Sequence, residues 1–149
     1  MDFFYYFSAL KHQDLLSKKT KYGLKALAYL ARNKENGPVL IGQVSEEENI
    51  PKKFLESILL ELKKFGVLGS KQGKGGGYYL LRKPEDVTLA SLIRILDGPI
   101  ALLPCVSLNY YQKCDDCKSE EICTLNREMA ELRDKTLEFL ENKTLVDLI

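Results

Sequence analysis

Strong breakers cut this chain into short pieces: Asn33-Lys34-Glu35-Asn36-Gly37-Pro38, Asn49-Ile50-Pro51, Gly73-Lys74-Gly75-Gly76-Gly77, Pro84 and Asp97-Gly98-Pro99. Proline removes a backbone donor and glycine frees the backbone, so helices and strands stop at such points. The first hundred residues therefore read as a series of short helices and one hairpin. A content of 45% hydrophobic and 29% charged residues over 149 positions suits an ordinary soluble globular chain with one compact core.

The apolar spacing names the pieces. Ser17 is a capping residue, and Tyr22, Leu24, Ala26, Leu27, Tyr29, Leu30 and Ala31 give the helix after it a broad apolar face. A short helix is predicted over about Ile41–Glu48, and a third from Pro51, which suits a first helical position. In that third helix Phe54, Leu55, Ile58, Leu59, Leu62 and Phe65 recur at helical spacing, leaving Lys52, Lys53, Glu56, Ser57 and Lys63 outside. Two helices joined by a tight turn, the second opening on basic residues, form a helix-turn-helix. Val67–Gln72 and Tyr78–Leu81 flank the glycine run as strands, which makes a β-hairpin wing. Thr88 then caps a helix whose Leu89, Leu92, Ile93 and Leu96 face inward.

The glycine run lacks the Gly-Lys-Ser/Thr ending of a phosphate loop, and it joins two strands instead of leading into a helix. As a wing tip it lets backbone approach a sugar-phosphate chain, with Lys71, Lys74, Arg82 and Lys83 supplying charge. Residues 52–83 hold eight Lys and Arg against two acids. That surplus lies on the two elements a winged helix presents to double-stranded DNA, so Lys52, Lys53, Ser57, Lys71, Gln72 and Lys74 are the candidate DNA-binding residues. The whole chain shows the same polarity: residues 1–100 carry 16 basic against 11 acidic groups, and residues 101–149 carry 6 against 10.

All four cysteines, Cys105, Cys114, Cys117 and Cys123, fall within one short stretch after 104 residues without any. A metal or cluster needs several soft thiolates brought together, and Cys114-Asp-Asp-Cys117 offers two from one turn. No apolar run approaches the roughly 20 residues that span a bilayer. The aromatic opening Met1-Asp2-Phe3-Phe4-Tyr5-Tyr6-Phe7 has an acid where a signal peptide carries a basic residue. A cytoplasmic location is therefore expected, with no membrane partner, and in that reducing compartment clustered cysteines read as ligands or redox thiols. Three cofactor states fit the spacing: an iron–sulfur cluster of two or four irons, zinc, or none, with a thiol switch at Cys114 and Cys117. An enzyme is not expected, because the chain has one histidine and no Cys-x2-Cys opening a helix after a strand.

From about Thr124 to Asn142 a long helix carries Leu125, Met129, Leu132, Thr136, Phe139 and Leu140 at spacings of three and four. On a helix projecting from a closed small domain, that seam is the expected homodimer interface. Residues 1–15 stand outside the pattern that begins at Leu16. Two readings apply to them: a tail docking on the body or a partner, or a segment preceding a native start at a leucine-type codon. His12, the only histidine, lies there without a second one nearby.

The ordered pattern resembles the IscR/NsrR/CymR group of bacterial winged-helix transcription regulators, the Rrf-two family. The resemblance rests on Leu62-Lys63-Lys64-Phe65-Gly66-Val67-Leu68, Gly73-Lys74-Gly75-Gly76-Gly77-Tyr78, Val87-Thr88-Leu89 through Leu96-Asp97-Gly98, and Ser17-Lys18-Lys19-Thr20-Lys21-Tyr22-Gly23. It implies a homodimer on a pseudo-palindromic operator and, in many members, a sensing cluster held by three cysteines. Cys117 and Cys123 reproduce the spacing of that family's last two cysteines, so Cys105 stands for the first and Cys114 is extra. Cys114 is then the candidate fourth ligand, since Asn126 occupies the family's histidine position and Lys21 its approximate carboxylate position. The wing departs from the usual Arg-Gly-Pro-Gly-Gly-Gly, reading Gln72-Gly73-Lys74-Gly75-Gly76-Gly77.

The expected architecture is mainly α with a small β-hairpin wing. A winged helix-turn-helix domain spans 16–98, a cysteine-containing sensor loop 99–123, and a long dimerisation helix with its tail 124–149. The expected function is a dimeric DNA-binding regulator that senses iron–sulfur, redox or nitric oxide status.

Overall fold

The computed structural model describes residues 15–149; most of the N-terminal extension, His12 included, lies outside the described residues. Helix α1 runs Lys18–Arg32. Ser17 holds an extended backbone and its hydroxyl accepts the Thr20 amide at 3.1 Å, so the expected cap is the one formed. Its Ala26, Leu27, Leu30 and Ala31 enter the core.

Helices α2, Ile41–Glu47, and α3, Lys52–Lys64, form the helix-turn-helix. The turn between them is closed by local polar chemistry. Asn49 takes a left-handed φ of 53°, which asparagine tolerates. The Ile50 amide donates to the Ser45 carbonyl at 3.0 Å, and the Ser45 hydroxyl donates to the Ile50 carbonyl at 2.6 Å. With both backbone groups satisfied, the Ile50 side chain is buried as the plug of the turn. Pro51 is the N-cap residue, one position earlier than the expected first helical position.

Leu55, Ile58, Leu59 and Leu62 are the buried face of α3. Two residues placed inward by their spacing lie at its edges instead. Phe54 is partly exposed and sits edge-on to Tyr22, with centroids 5.7 Å apart, and Phe65 is 55% exposed. Apolar residues at helical spacing mark a face only where a neighbouring element covers it.

Strands β1, Leu68–Lys71, and β2, Gly77–Leu80, pair antiparallel from Leu68 opposite Leu80 to Lys71 opposite Gly77. Val39 adds a third rung on the far side of β2, exchanging amide–carbonyl bonds with Tyr78 at 2.9 and 2.8 Å. This fastens the wing to the segment following α1. Gly77 makes it possible: its φ is 143°, and a Cβ there would lie 2.3 Å from the Val39 carbonyl oxygen.

Helix α4, Leu89–Leu96, is capped by Thr88, whose hydroxyl accepts the Ser91 amide at 3.2 Å. Helix α5, Thr124–Glu141, follows the cysteine loop. The chain then returns to the winged domain. The Leu89 amide donates to the Lys143 carbonyl and the Leu145 amide to the Val87 carbonyl, both at 2.8 Å, and Leu145 is fully buried among the core residues. The residues read as a tail thus complete the core of the winged domain. Among the described residues no helix is long and apolar enough to cross a membrane.

Asp97, the residue after α4, ties the two ends of this helical layer together. Its carboxylate accepts the Ser17 amide at 3.2 Å and the Ser17 hydroxyl, placing a negative charge at the N-terminus of α1. Burial acts to raise its pKa, but hydrogen bonds from Ser17 and Thr20 and the charge of Lys19 outweigh it, so the folded value lies below 3.8. A depressed folded value gives stability that is present above the unfolded value and lost as pH falls through the folded one. Asp97→Asn should therefore lose about 0.5–1 kcal/mol at pH 7, a figure held down by solvent screening, with the gap to wild type closing below pH 4. Thermal unfolding of both proteins from pH 7 to pH 2 measures it.

Candidate functional site

Lys52 and Lys53 occupy the exposed first turn of α3, where no packing constrains them. Ser57 is exposed one turn on, and its hydroxyl donates to the Phe54 carbonyl at 2.8 Å, leaving its lone pairs free to accept. Lys71, Gln72 and Lys74 are exposed on the hairpin, and Arg82 and Lys83 just beyond it. None of the basic groups among these residues has a salt-bridge partner among the described residues, whereas Lys19 is 2.6 Å from Glu61 and Arg32 is 2.7 Å from Glu48. One lysine of the basic surplus is engaged in the fold: Lys63 donates to the Ser70 hydroxyl at 2.6 Å and joins α3 to β1. Unpaired cations on the helix and wing are groups that an anionic duplex would neutralise.

The cysteine loop is built from three turns. Pro104–Val106 is a 3-10 turn that buries Cys105 to 9% exposure. The Gln112 amide donates to the Pro104 carbonyl at 3.2 Å, which returns the loop past Cys105 and brings Cys114 to it. The Cys117 amide closes a turn on the Cys114 carbonyl at 3.3 Å, and the Tyr111 hydroxyl donates to Glu120 at 2.7 Å across the loop. The fourth cysteine is the N-cap of α5: the Cys123 sulfur accepts the Asn126 amide at 3.4 Å. Cysteine is not a favoured capping residue, so its spacing alone did not reveal this role.

Cys114 lies within electrostatic reach of Cys105 and Cys117, and Cys117 within reach of Cys123. The hydrogen bond with Cys105, partial burial and the negative charges of Cys105, Asp116 and Cys117 push the Cys114 thiol up to about 11. Burial first, then the charge and hydrogen bond of Cys123 and the charge of Glu120, raise Cys117 against a Ser119 amide that lowers it. The Tyr111 phenol is raised too, first by its hydrogen bond to Glu120 and then by burial and by the charges of Glu120, Cys105 and Cys114. Four thiols on one loop are a soft donor set that a thiophilic cation would deprotonate on binding. Their chemistry fits a thiophilic metal or cluster, although among the described residues no three His, Cys, Asp or Glu side chains are gathered into one metal-holding group.

Helix α5 presents two faces. Its inner side carries Ala130, Arg133 and the buried Leu137, a stripe the sequence reading did not identify. On the outer side Leu125, Met129, Leu132, Thr136 and Phe139 alternate at spacings of four and three. Leu125, Leu132 and Phe139 are exposed there, Phe139 to 62%. Such a stripe has the repeat of a two-helix seam. Leu140, partly buried, joins Leu132 and Thr136 in lining an adjoining groove of about 310 Å³ against Ile93 and Pro99.

A helix-turn-helix with a glycine-tipped wing and a free basic first turn defines a DNA-binding transcription regulator. The chain belongs to the Rrf2 family, whose model, described as an iron-dependent transcriptional regulator, matches residues 16–149. It is 42% identical over 138 residues to a putative rrf2-like HTH-type transcriptional regulator of Rhodobacter capsulatus, covering 91% of this chain and 92% of that one. The HTH-type regulator IscR of Pectobacterium atrosepticum is 28% identical over 134 residues, 90% of this chain and 78% of its own length. Among solved structures, CymR, the global cysteine regulator of B. subtilis, superposes with a TM-score of 0.72 at 28% identity, covering 91% of this chain and 96% of CymR. IscR of T. potens gives 0.71 at 27% identity, with 95% and 87% covered.

Proposed function

We propose that this regulator acts as a cytoplasmic homodimer on double-stranded DNA and that its cysteine loop holds an iron–sulfur cluster whose presence sets its affinity for an operator. The observation that carries the reading is the loop's attachment: its last cysteine caps α5, and its first lies in a turn following the segment from α4. A change at the sulfurs therefore acts between the winged domain and the helix that would join two chains.

Cys105, Cys117 and Cys123, with Cys114 as the fourth donor, are the residues that would hold the group. When bound, the cluster supplies a soft, redox-labile crosslink among them. The remaining steps belong to the chain itself. Tyr111 and Glu120 brace the two sides of the loop, and Cys123 fixes one end of it to the first turn of α5. Lys52, Lys53 and Ser57 would meet the major groove, with Lys71, Gln72 and Lys74 on the neighbouring backbone. Half-sites on one DNA face lie about 34–36 Å apart, so a small rotation of one head misplaces it. The loop shifts that equilibrium only by its differential preference for the two settings.

Lysines that meet phosphates carry salt dependence more than sequence choice. With Lys52→Ala and Lys53→Ala together, binding to a duplex selected from a randomised library should weaken, and the log–log salt slope should flatten by about two per reading head, one for each lost contact. Anisotropy titrations at several salt concentrations measure both. An unchanged affinity and slope would remove α3 from the interface.

A further inference from the structure

Arg133 stands apart from the other basic residues of α5. Its side chain is only 14% exposed, while that of Arg127, two turns earlier, is 74% exposed. Its guanidinium reaches off the helix to donate to the Val106 carbonyl and keeps a 2.7 Å contact with Asp134. Val106 follows Cys105 in the buried 3-10 turn that the Ser107 amide closes on the Pro104 carbonyl at 3.1 Å. The loop is thus tied to one helix at Cys123 through the cap and, beside Cys105, at Val106 through Arg133. Ten residues separate those points, about 15 Å along a helix.

We infer that Arg133 is the positioning residue that transmits the state of the cysteine loop to α5. Drawing Cys105 toward Cys123 with the Arg133 contact in place loads the first three turns of α5. Without the contact, the same movement is absorbed by the loop. Arg133 also lines the groove shared by Leu132, Thr136 and Ile93, so a shift of its backbone reaches the seam directly. The planar fork suits a carbonyl beside a carboxylate, and lysine reproduces the charge without the geometry. The inference rests on the cysteine-loop reading above, and its test separates the two.

The experiment uses the full chain as wild type, Arg133→Met and Arg133→Lys, with cadmium ion as the thiophilic probe. In metal-free protein, loss of a charge-assisted hydrogen bond should make the turn open more often and raise the iodoacetamide labelling rate of Cys105 roughly tenfold in Arg133→Met, less in Arg133→Lys. Cadmium, followed by its thiolate charge-transfer absorption, should bind all three with the same stoichiometry. It should alter hydrogen exchange across residues 129–137 in wild type and leave that stretch unchanged in Arg133→Met. Unchanged Cys105 labelling, or a cadmium response in α5 that survives Arg133→Met, overturns the inference. If wild type takes up no cadmium, the cysteine-loop reading fails, while the labelling rates still decide whether Arg133 holds the turn. Should Arg133→Met unfold by circular dichroism, the same criteria are read on Arg133→Lys.

Discussion

Gly77→Ala is expected to cost about 3 kcal/mol of stability and to abolish tight DNA binding. Two penalties fall on the same residue. Its φ of 143° disfavours any side chain, and the new Cβ would lie 2.3 Å from the Val39 carbonyl oxygen and 2.9 Å from the Leu40 nitrogen. These are backbone atoms that no rotamer change moves aside. Relief requires Val39 and Tyr78 to part, and with them two of the hydrogen bonds that hold the wing to the helical core. Gly73→Ala is the control: its φ of 87° is also positive, but nothing lies within 4 Å of the added carbon. It should cost only about 1 kcal/mol. Urea unfolding gives both numbers, and an equal cost for the two would show that conformation alone, and not the Val39 contact, explains Gly77.

Phe139→Glu is expected to convert the proposed homodimer into a folded monomer. Phe139 is 62% exposed, so its replacement costs this chain little of its own packing, yet it lies in the seam with Leu132 and Leu125. A carboxylate facing its own copy across a two-fold axis adds repulsion to lost apolar burial. A weakening of self-association by about a hundredfold or more follows, as for a central aromatic anchor. Sedimentation should show the mass falling to the 17.0 kDa of one chain. Because two joined heads bind with an effective concentration that separate heads lack, affinity for a two-site duplex should drop by about 10²-fold or more. Wild-type mass in this variant would place the interface elsewhere.

Much of this architecture is legible before any coordinates, because it is written in short-range chemistry. Ser17 and Thr88 cap the helices they were expected to cap, and the glycine run does separate the strands of a hairpin. The cysteines are clustered in the sequence, but which of them approach one another depends on where the Gln112–Pro104 bond returns the loop. The other omissions share a cause. Asp97 meets Ser17 across 80 residues, and Arg133 reaches Val106 across 27. Val39 pairs with Tyr78 as a single rung, and Leu145 is one apolar residue after a helix end. A contact made by one residue has no period, so hydrophobic spacing carries no trace of it. Phe54 and Phe65 show the converse: they keep the period but lie past the margin of what α1 and the wing cover.

The most direct test of the account is anisotropy of one selected operator duplex, titrated anaerobically at fixed salt with cluster-loaded protein and with the same preparation after the iron is removed. The two dissociation constants should differ by about tenfold or more, within the range of ordinary coupling between two sites. Equal constants, with iron and sulfide confirmed in one sample and absent from the other, would contradict it.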